Sequence, residues 1–374
     1  MGVDVFFTIS GFVVTLSLLR RSKKNKDVKM SAYLLQFYQR RLVRLAPSLM
    51  LCLVPTVILL TFLVPSWWPN KNDWYDTGAY SVFGMSNLYL AFQESEGYFD
   101  TEGGSQMNPF LHTWSLGVEE QFYLIYPVVM YLGTSSTSTS SFCRVSTWVV
   151  AFALVSLVIS VVLTFTASEK IGFYFSPARF WEMAAGGCSM LLAQHYEDAL
   201  KRMGGTCSLV VDLFVIGVLA VSFAFGHDIW PYSSFPFRWH FFRSQRRAFS
   251  WHSASKRNLI NLLLSKKPAV YVGKLSYGLY LVHWPIFVLI RFNVGLKDSW
   301  VLLALVLSFA FAILMHHGVE SKIHRSGISP KYLFGMLVLD KFLWRCLLAK
   351  CCGLHLTTFN QAAAAVESSI RPWI

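Results

Sequence analysis

Long apolar runs alternate with short polar ones along most of this chain. A bilayer core about 30 Å thick takes about 20 helical residues, somewhat fewer where end residues reach to the interface. Runs of suitable length occupy residues 4–19, 47–64, 118–132, 147–166, 178–194, 209–226, 270–291 and 300–316, so the pattern predicts eight membrane helices. Residues 80–92 are apolar but short, and Asn87 interrupts them; they read as a re-entrant or interfacial piece. No self-similar period of about 20–50 residues runs through the chain, so it is not a solenoid.

Composition strengthens this picture. Hydrophobic residues make up 54% and charged residues 14% of 374 positions, against about 45–50% and 25% in soluble domains. A soluble globule of this length cannot hide so much apolar surface behind so few charges. Soluble enzyme, disordered chain and disulfide mini-protein are therefore excluded, and an all-α, polytopic membrane helix bundle is expected. Seven cysteines form no disulfide framework. Cys52 and Cys188 fall inside apolar runs. Cys346, Cys351 and Cys352 lie beside Arg345 and Lys350, where lipidation is one reading.

The net charge of +13 does not point to nucleic acid, because the excess sits in short runs between apolar spans. Residues 20–44 carry nine Lys or Arg against Asp27 alone, which assigns them to the cytoplasmic side. Residues 66–114 hold six acids and one Lys and belong to the opposite side. The alternation breaks at residues 238–267, where eight basic residues and no acid fall on what should be the outer side. The four arginines at residues 238–247 would each cost about 2.5–3.5 kcal/mol in a membrane helix. Two readings stay open for residues 238–256: a stretch translated out of frame in place of an apolar helix, or a basic amphipathic insert on a membrane surface. Residues 332–350 read as an interfacial helix, and the end of the chain from 362 as unpacked.

Charge at membrane depth is costly and needs a use, so four polar clusters draw the chemistry. Asp4, Ser10 and Gly11 sit in the first apolar run, where small residues permit close helix contact. Arg40 and Arg44 are four apart and share a helix face, with Arg41 beside them; they offer forked donors to phosphates, or serve as topology signal and headgroup contacts. Pro47 is expected to open the next helix. Glu119 and Glu120 open a span and point about 100° apart, so at most one faces a given cavity. A carboxylate there suits acid or base work, or simply favours a helix start. His112 could join it only if the backbone bends. His283 lies near mid-membrane ahead of Pro285, which frees a carbonyl; a buried, bonded histidine is the plain alternative. No metal-ligand spacing and no nucleophile motif occurs.

Taken in this order, these segments closely resemble the acyltransferase 3 family of multi-span O-acyltransferases that modify extracytoplasmic sugars. The matching stretches are residues 2–12, 37–47, 112–127, 179–186 and 276–285 and the closing His317-Gly-Val-Glu320. The resemblance implies a membrane domain over residues 1–325, apart from 238–256, with a tail over 326–374. It implies a ten-helix architecture, of which eight to nine spans are recognisable. It further implies an acyl-CoA co-substrate, acetyl-CoA above all, reached from the cytoplasm, no tightly bound cofactor, and a carbohydrate or glycolipid hydroxyl as acceptor across the bilayer. Arg40, Arg41 and Arg44 would lie near the CoA phosphates; Glu119 or Glu120 and His283, with His112, would line the reaction path. The family's first helix, with an arginine and a histidine central to catalysis, has no counterpart before Gly2, so a catalytically degenerate chain is one alternative; a transporter or scaffold is another.

Overall fold

The computed structural model describes residues 2–24, 29–65, 68, 71–93, 107–134, 141–167, 169–195, 265–295 and 298–321. The expected span at 209–226, the basic stretch at 238–256 and the tail from 326 onward lie outside the described residues.

Every other apolar run coincides with a helix. The long helices are α1 (Gly2–Lys24) and α2 (Met30–Leu63), followed by the short α3 (Lys71–Val82) and α4 (Ser86–Phe92). Then come α5 (Trp114–Thr134), α6 (Ser141–Thr166), the short α7 (Glu169–Tyr174) and α8 (Phe180–His195). After the undescribed stretch follow α9 (Lys267–Val294) and α10 (Asp298–Met315), which ends in a π-turn over His316–Glu320. Five helical segments, in α1, α2, α6, α9 and the α10 region, are long and apolar enough to cross a membrane. Their outer faces are apolar: Phe62 is 82% and Phe165 76% exposed. Such surfaces suit lipid rather than water, and the protein is an integral multi-pass membrane protein.

α5 falls outside those five because its first two turns carry Glu119, Glu120 and Gln121. It compensates by sitting inside the bundle, packed by α1, α2, α4, α6 and α8. Phe122 and Tyr126 of α5 and Met183 of α8 are completely enclosed.

Two differences from the sequence expectation concern α2 and the short apolar piece. Pro47 does not open a helix. α2 starts at Met30 and runs through both Pro47 and Pro55. Its basic first half is amphipathic, burying Tyr33 and Phe37 while Arg40 stays exposed, and that packing outweighs the backbone bond a proline removes. Residues 80–92 form no single element. α3 and α4 make a helical hairpin that turns at Gly84, whose φ of 64° favours glycine. Neither helix is long enough to span, in keeping with the re-entrant or interfacial reading.

α1 and α8 run side by side and touch backbone to backbone. A Cβ on Gly11 would strike the Met183 carbonyl, and one on Gly186 would strike the Thr8 carbonyl. Without a hydrophobic force between helices in lipid, such close approach supplies the packing. At the outer end of the same pair, Arg179 bonds Asp4 at 2.6 Å and Glu182 at 2.9 Å. The guanidinium lies 5.4–5.5 Å from the ring centres of Phe7, Trp114 and Phe173. This pairing keeps a fully buried arginine from costing several kcal/mol as a lone ion.

Candidate functional site

The first three turns of α1, the basic half of α2, the start of α5 and the middle of α9 surround a cleft of about 540 Å³. One wall is apolar, from Val3, Phe6, Ile9 and Val13 of α1. The other carries Arg41 and Arg44 of α2, Glu119 of α5, and Ser276, Tyr277 and Tyr280 of α9. Four of the residues singled out in the sequence, Ser10, Arg41, Arg44 and Glu119, therefore meet in one cavity. Arg40 does not: it is absent from the lining. The guanidinium pair facing the cleft is three residues apart, not four.

Glu119 is held in place by two hydroxyls. Ser10 of α1 and Tyr123, one turn further along α5, both donate to its Oε1. The Tyr123 ring in turn carries the Arg41 guanidinium at 4.1 Å from its centre, a contact worth about 0.5–2 kcal/mol. Arg41, Tyr123, Glu119 and Ser10 thus form one chain of contacts across three helices. Glu120 points elsewhere, as the 100° step requires. Its carboxylate crowds the α carbon of Gly84 at the α3–α4 turn, where a Cβ would collide with Oε2. Next to it, Gln121 donates to the Gly84 carbonyl at 2.8 Å and to Asn87 at 2.9 Å. Asn87, which interrupts the short apolar piece, donates to Ser176 at 2.7 Å and so ties the hairpin to the segment before α8.

His112 does not join Glu119. A 3₁₀ turn at Leu111–Thr113 precedes α5 and carries the ring away from the glutamates and toward α9. There it meets His283, with ring centres 5.8 Å apart and planes at 74°. His112 is buried, and neither ring nitrogen has a hydrogen-bond partner. His283 is half-buried, and its Nδ1 lies 2.7 Å from the Tyr280 carbonyl. Only an N–H satisfies that carbonyl, which assigns the proton to Nδ1 and leaves the Nε2 lone pair as the acceptor. Pro285 acts as expected: it frees the Leu281 carbonyl, which accepts the Cys52 thiol at 3.1 Å.

Tyr280 stands between the two groups. Its ring stacks on Phe6 at 6.2 Å with planes 10° apart, and lies 5.6 Å from both His112 and His283. Its hydroxyl donates to the His112 carbonyl at 2.7 Å and lies 2.5 Å from Ser115 Oγ. Sequence reasoning passed over Tyr280, Tyr277 and Tyr123, although all three lie within the quoted segments. The one available signal was the i, i+4 spacing of Glu119 and Tyr123, which stacks them on one helix face. At the inner end, Glu320 accepts from Ser48 at 2.7 Å and pairs with His316 at 3.0 Å. That contact ties the π-turn to α2 one turn beyond Arg44. Among the described residues no group of His, Cys, Asp and Glu could hold a metal ion.

Comparisons with known proteins bear on the family. The family model described as Acyltransferase domain matches residues 1–317. The O-acetyltransferase OatA of Staphylococcus aureus is 27% identical over 339 residues, covering 87% of this chain and 53% of that protein. The peptidoglycan O-acetyltransferase OatA of Listeria monocytogenes is 26% identical over 364 residues, 92% of this chain and 54% of that protein. The chain therefore spans about half the length of the curated relatives it matches. No solved structure matches. By the extent of the family match, this chain belongs to the acyltransferase 3 family.

Proposed function

We propose that this protein transfers an acetyl group from acetyl-CoA, bound from the basic side of the bundle, to a carbohydrate hydroxyl on the opposite side, with a peptidoglycan-type glycan as the acceptor class. The observation that carries this reading is that Arg41 and Arg44 of α2 and Glu119 of α5 line one cleft whose facing wall is apolar. Two relatives whose names denote O-acetyltransfer, one of them to peptidoglycan, support it.

The chemistry divides along the cleft. Arg41 and Arg44 supply forked donors and positive charge for the CoA phosphates at the basic end. The apolar wall of α1 accepts the acyl group and excludes water. Glu119, fixed by Ser10 and Tyr123, balances the arginine charge within the low-dielectric interior. His283 takes the acceptor proton on Nε2 while Tyr280 holds its Nδ1–H. His112 packs behind it and keeps the ring oriented. The acceptor oxygen bonds the acyl carbon, the C–S bond breaks, the hydroxyl proton goes to His283, and the thiolate of CoA leaves and is protonated. Nothing in this sequence requires an acyl-enzyme.

Membranes carrying the protein, given radiolabelled acetyl-CoA, are expected to label a glycan fraction. Arg44→Ala should raise the KM for acetyl-CoA about tenfold or more, with a smaller change in kcat. His283→Ala should lower kcat about 10²–10⁴-fold, the range for loss of a general base. An unchanged KM in the arginine variant would remove the phosphate role, and full activity without His283 would remove the base.

A further inference from the structure

We infer that the stacked rings of Phe6 and Tyr280 form a septum between the donor cleft and the histidine pair, and that this septum sets the length of the acyl group transferred. The inference rests on the acyl-transfer reading above and adds what limits its donor.

The ordering of residues along the helices gives the geometry. α1 enters the bundle at Gly2, and its cleft-facing residues run from Val3 and Phe6 to Ser10 and Val13. α9 runs the other way, passing Ser276, Tyr277 and Tyr280 before reaching His283. The basic end of the cleft is therefore bounded by Arg41, Arg44, Ser276 and Tyr277, and its other end by Val3, Phe6 and Tyr280. Both histidines lie beyond Tyr280 and outside the cleft lining. Tyr280 is fixed at two points, through its hydroxyl on the His112 carbonyl and its ring on Phe6. Parallel-displaced aromatic pairs of this kind contribute about 0.5–1.5 kcal/mol beyond burial, which favours this ring pairing in the resting protein.

The size limit follows from the spacing. Ser10 and Phe6 are four residues apart on α1, about 6 Å along its axis. An acyl carbonyl at the level of Ser10 and Glu119 therefore faces the Phe6 ring across about that distance. Carbon atoms in contact need about 3.5–4.0 Å, which leaves about 2 Å. One methyl group fits; a chain of four carbons does not. In transfer, the acceptor oxygen bonds the acyl carbon as its C–S bond breaks, the hydroxyl proton goes to His283, and the CoA thiolate leaves toward the arginine end and is protonated.

The test compares acetyl-, propionyl- and butyryl-CoA as donors for the wild type, Phe6→Ala and Phe6→Trp, with kcat/KM for each. The readout is the butyryl-to-acetyl ratio within one variant, which a general loss of folded protein does not move. Phe6→Ala should raise this ratio at least tenfold, and Phe6→Trp should lower the propionyl-to-acetyl ratio. Tyr280→Phe, which keeps the ring but frees it from the His112 carbonyl, should raise the butyryl ratio less than Phe6→Ala does. Equal ratios in all variants would overturn the septum while leaving the acetyl-transfer reading intact. A wild type inactive with all three donors would overturn the underlying reading instead. If Phe6→Ala does not accumulate, Phe6→Leu supplies the same comparison with a smaller opening.

Discussion

At the scale of single residues, the acids outside the spanning helices carry a measurable consequence. Asp76 of α3 faces Tyr89 of α4, whose hydroxyl lies 3.5 Å from its Oδ2 and whose ring stacks on Tyr80 at 4.8 Å. Burial pushes the Asp76 carboxyl up to about 6, the charge of Asp73 adds to the shift, and the hydrogen bond from Tyr89 offsets part of it. A carboxyl whose folded value lies above its unfolded one stabilises the fold fully at pH below about 4 and loses that contribution as pH rises through about 6. Asp76→Asn fixes the neutral form. Its thermal stability in detergent should match the wild type near pH 4 and exceed it above pH 6, by on the order of 1–3 kcal/mol. Equal stability at pH 7.5 would show that the α3–α4 hairpin does not desolvate this carboxyl. The same scale shows where reading the sequence stopped. Residue type and spacing were enough to single out Glu119, His283 and the arginines. They could not say that Arg41 rather than Arg40 joins Arg44, because the two flank Arg44 at about 60° and 40° on opposite sides of the helix, and which side meets the cleft is decided by which neighbour packs there. Nor could they say that His112 turns toward His283, since that depends on one 3₁₀ turn.

At the scale of elements, helix existence was legible and helix contact was not. Apolar length alone marks α1, α6, α9 and α10, because lipid demands it. α2 was legible only from Pro47 onward, since its amphipathic basic half carries no long apolar run. The pairing of α1 with α8, nearly 180 residues apart in sequence, has no periodic signature. It is written only in the small residues Gly11 and Gly186, and in the charges of Asp4, Arg179 and Glu182. Gly11→Val should part the two helices, since its Cβ falls on the Met183 backbone, which cannot rotate aside. The expected loss is about 3 kcal/mol or more, the upper range of overpacking, seen as a lower melting temperature in detergent. Gly172→Ala in α7 is the matched control: nothing lies within 4 Å of its Cβ, and stability should hold within about 0.5 kcal/mol. Equal melting temperatures for the two variants would mean that the α1–α8 contact is looser than its backbone approach indicates. Displacing α1 would also move Ser10 off Glu119 and Phe6 off Tyr280, so activity should fall with stability in the first variant only.

At the scale of the whole molecule, charge assigns a direction to the cleft. Arg20, Arg21 and Lys24 end α1, Lys29 precedes α2, Arg144 lies near the start of α6, and Lys266 and Lys267 open α9. Antiparallel neighbours bring these residues to one end of the bundle; the Arg21 guanidinium reaches Gln36 of α2 there at 3.4 Å. The opposite end carries Asp73, Asp76, Glu182 and Asp298. Lysine and arginine bias predicts that the first end faces the cytoplasm; on the acetyl-transfer reading proposed above, the arginine end of the cleft would then meet a cytoplasmic donor and the histidine pair would face the far side. Cys143 reports this directly, being exposed beside Arg144 at the basic end, whereas Cys52 is buried. In a variant that keeps Cys143 as its single cysteine, a membrane-impermeant maleimide applied to intact cells should leave the protein unlabelled. The permeant reagent should label it, and permeabilised cells should label with both. Labelling of intact cells by the impermeant reagent would invert the bundle. It would then put Arg41 and Arg44 on the outer side, where no CoA pool meets them, and their role toward the CoA phosphates would fall.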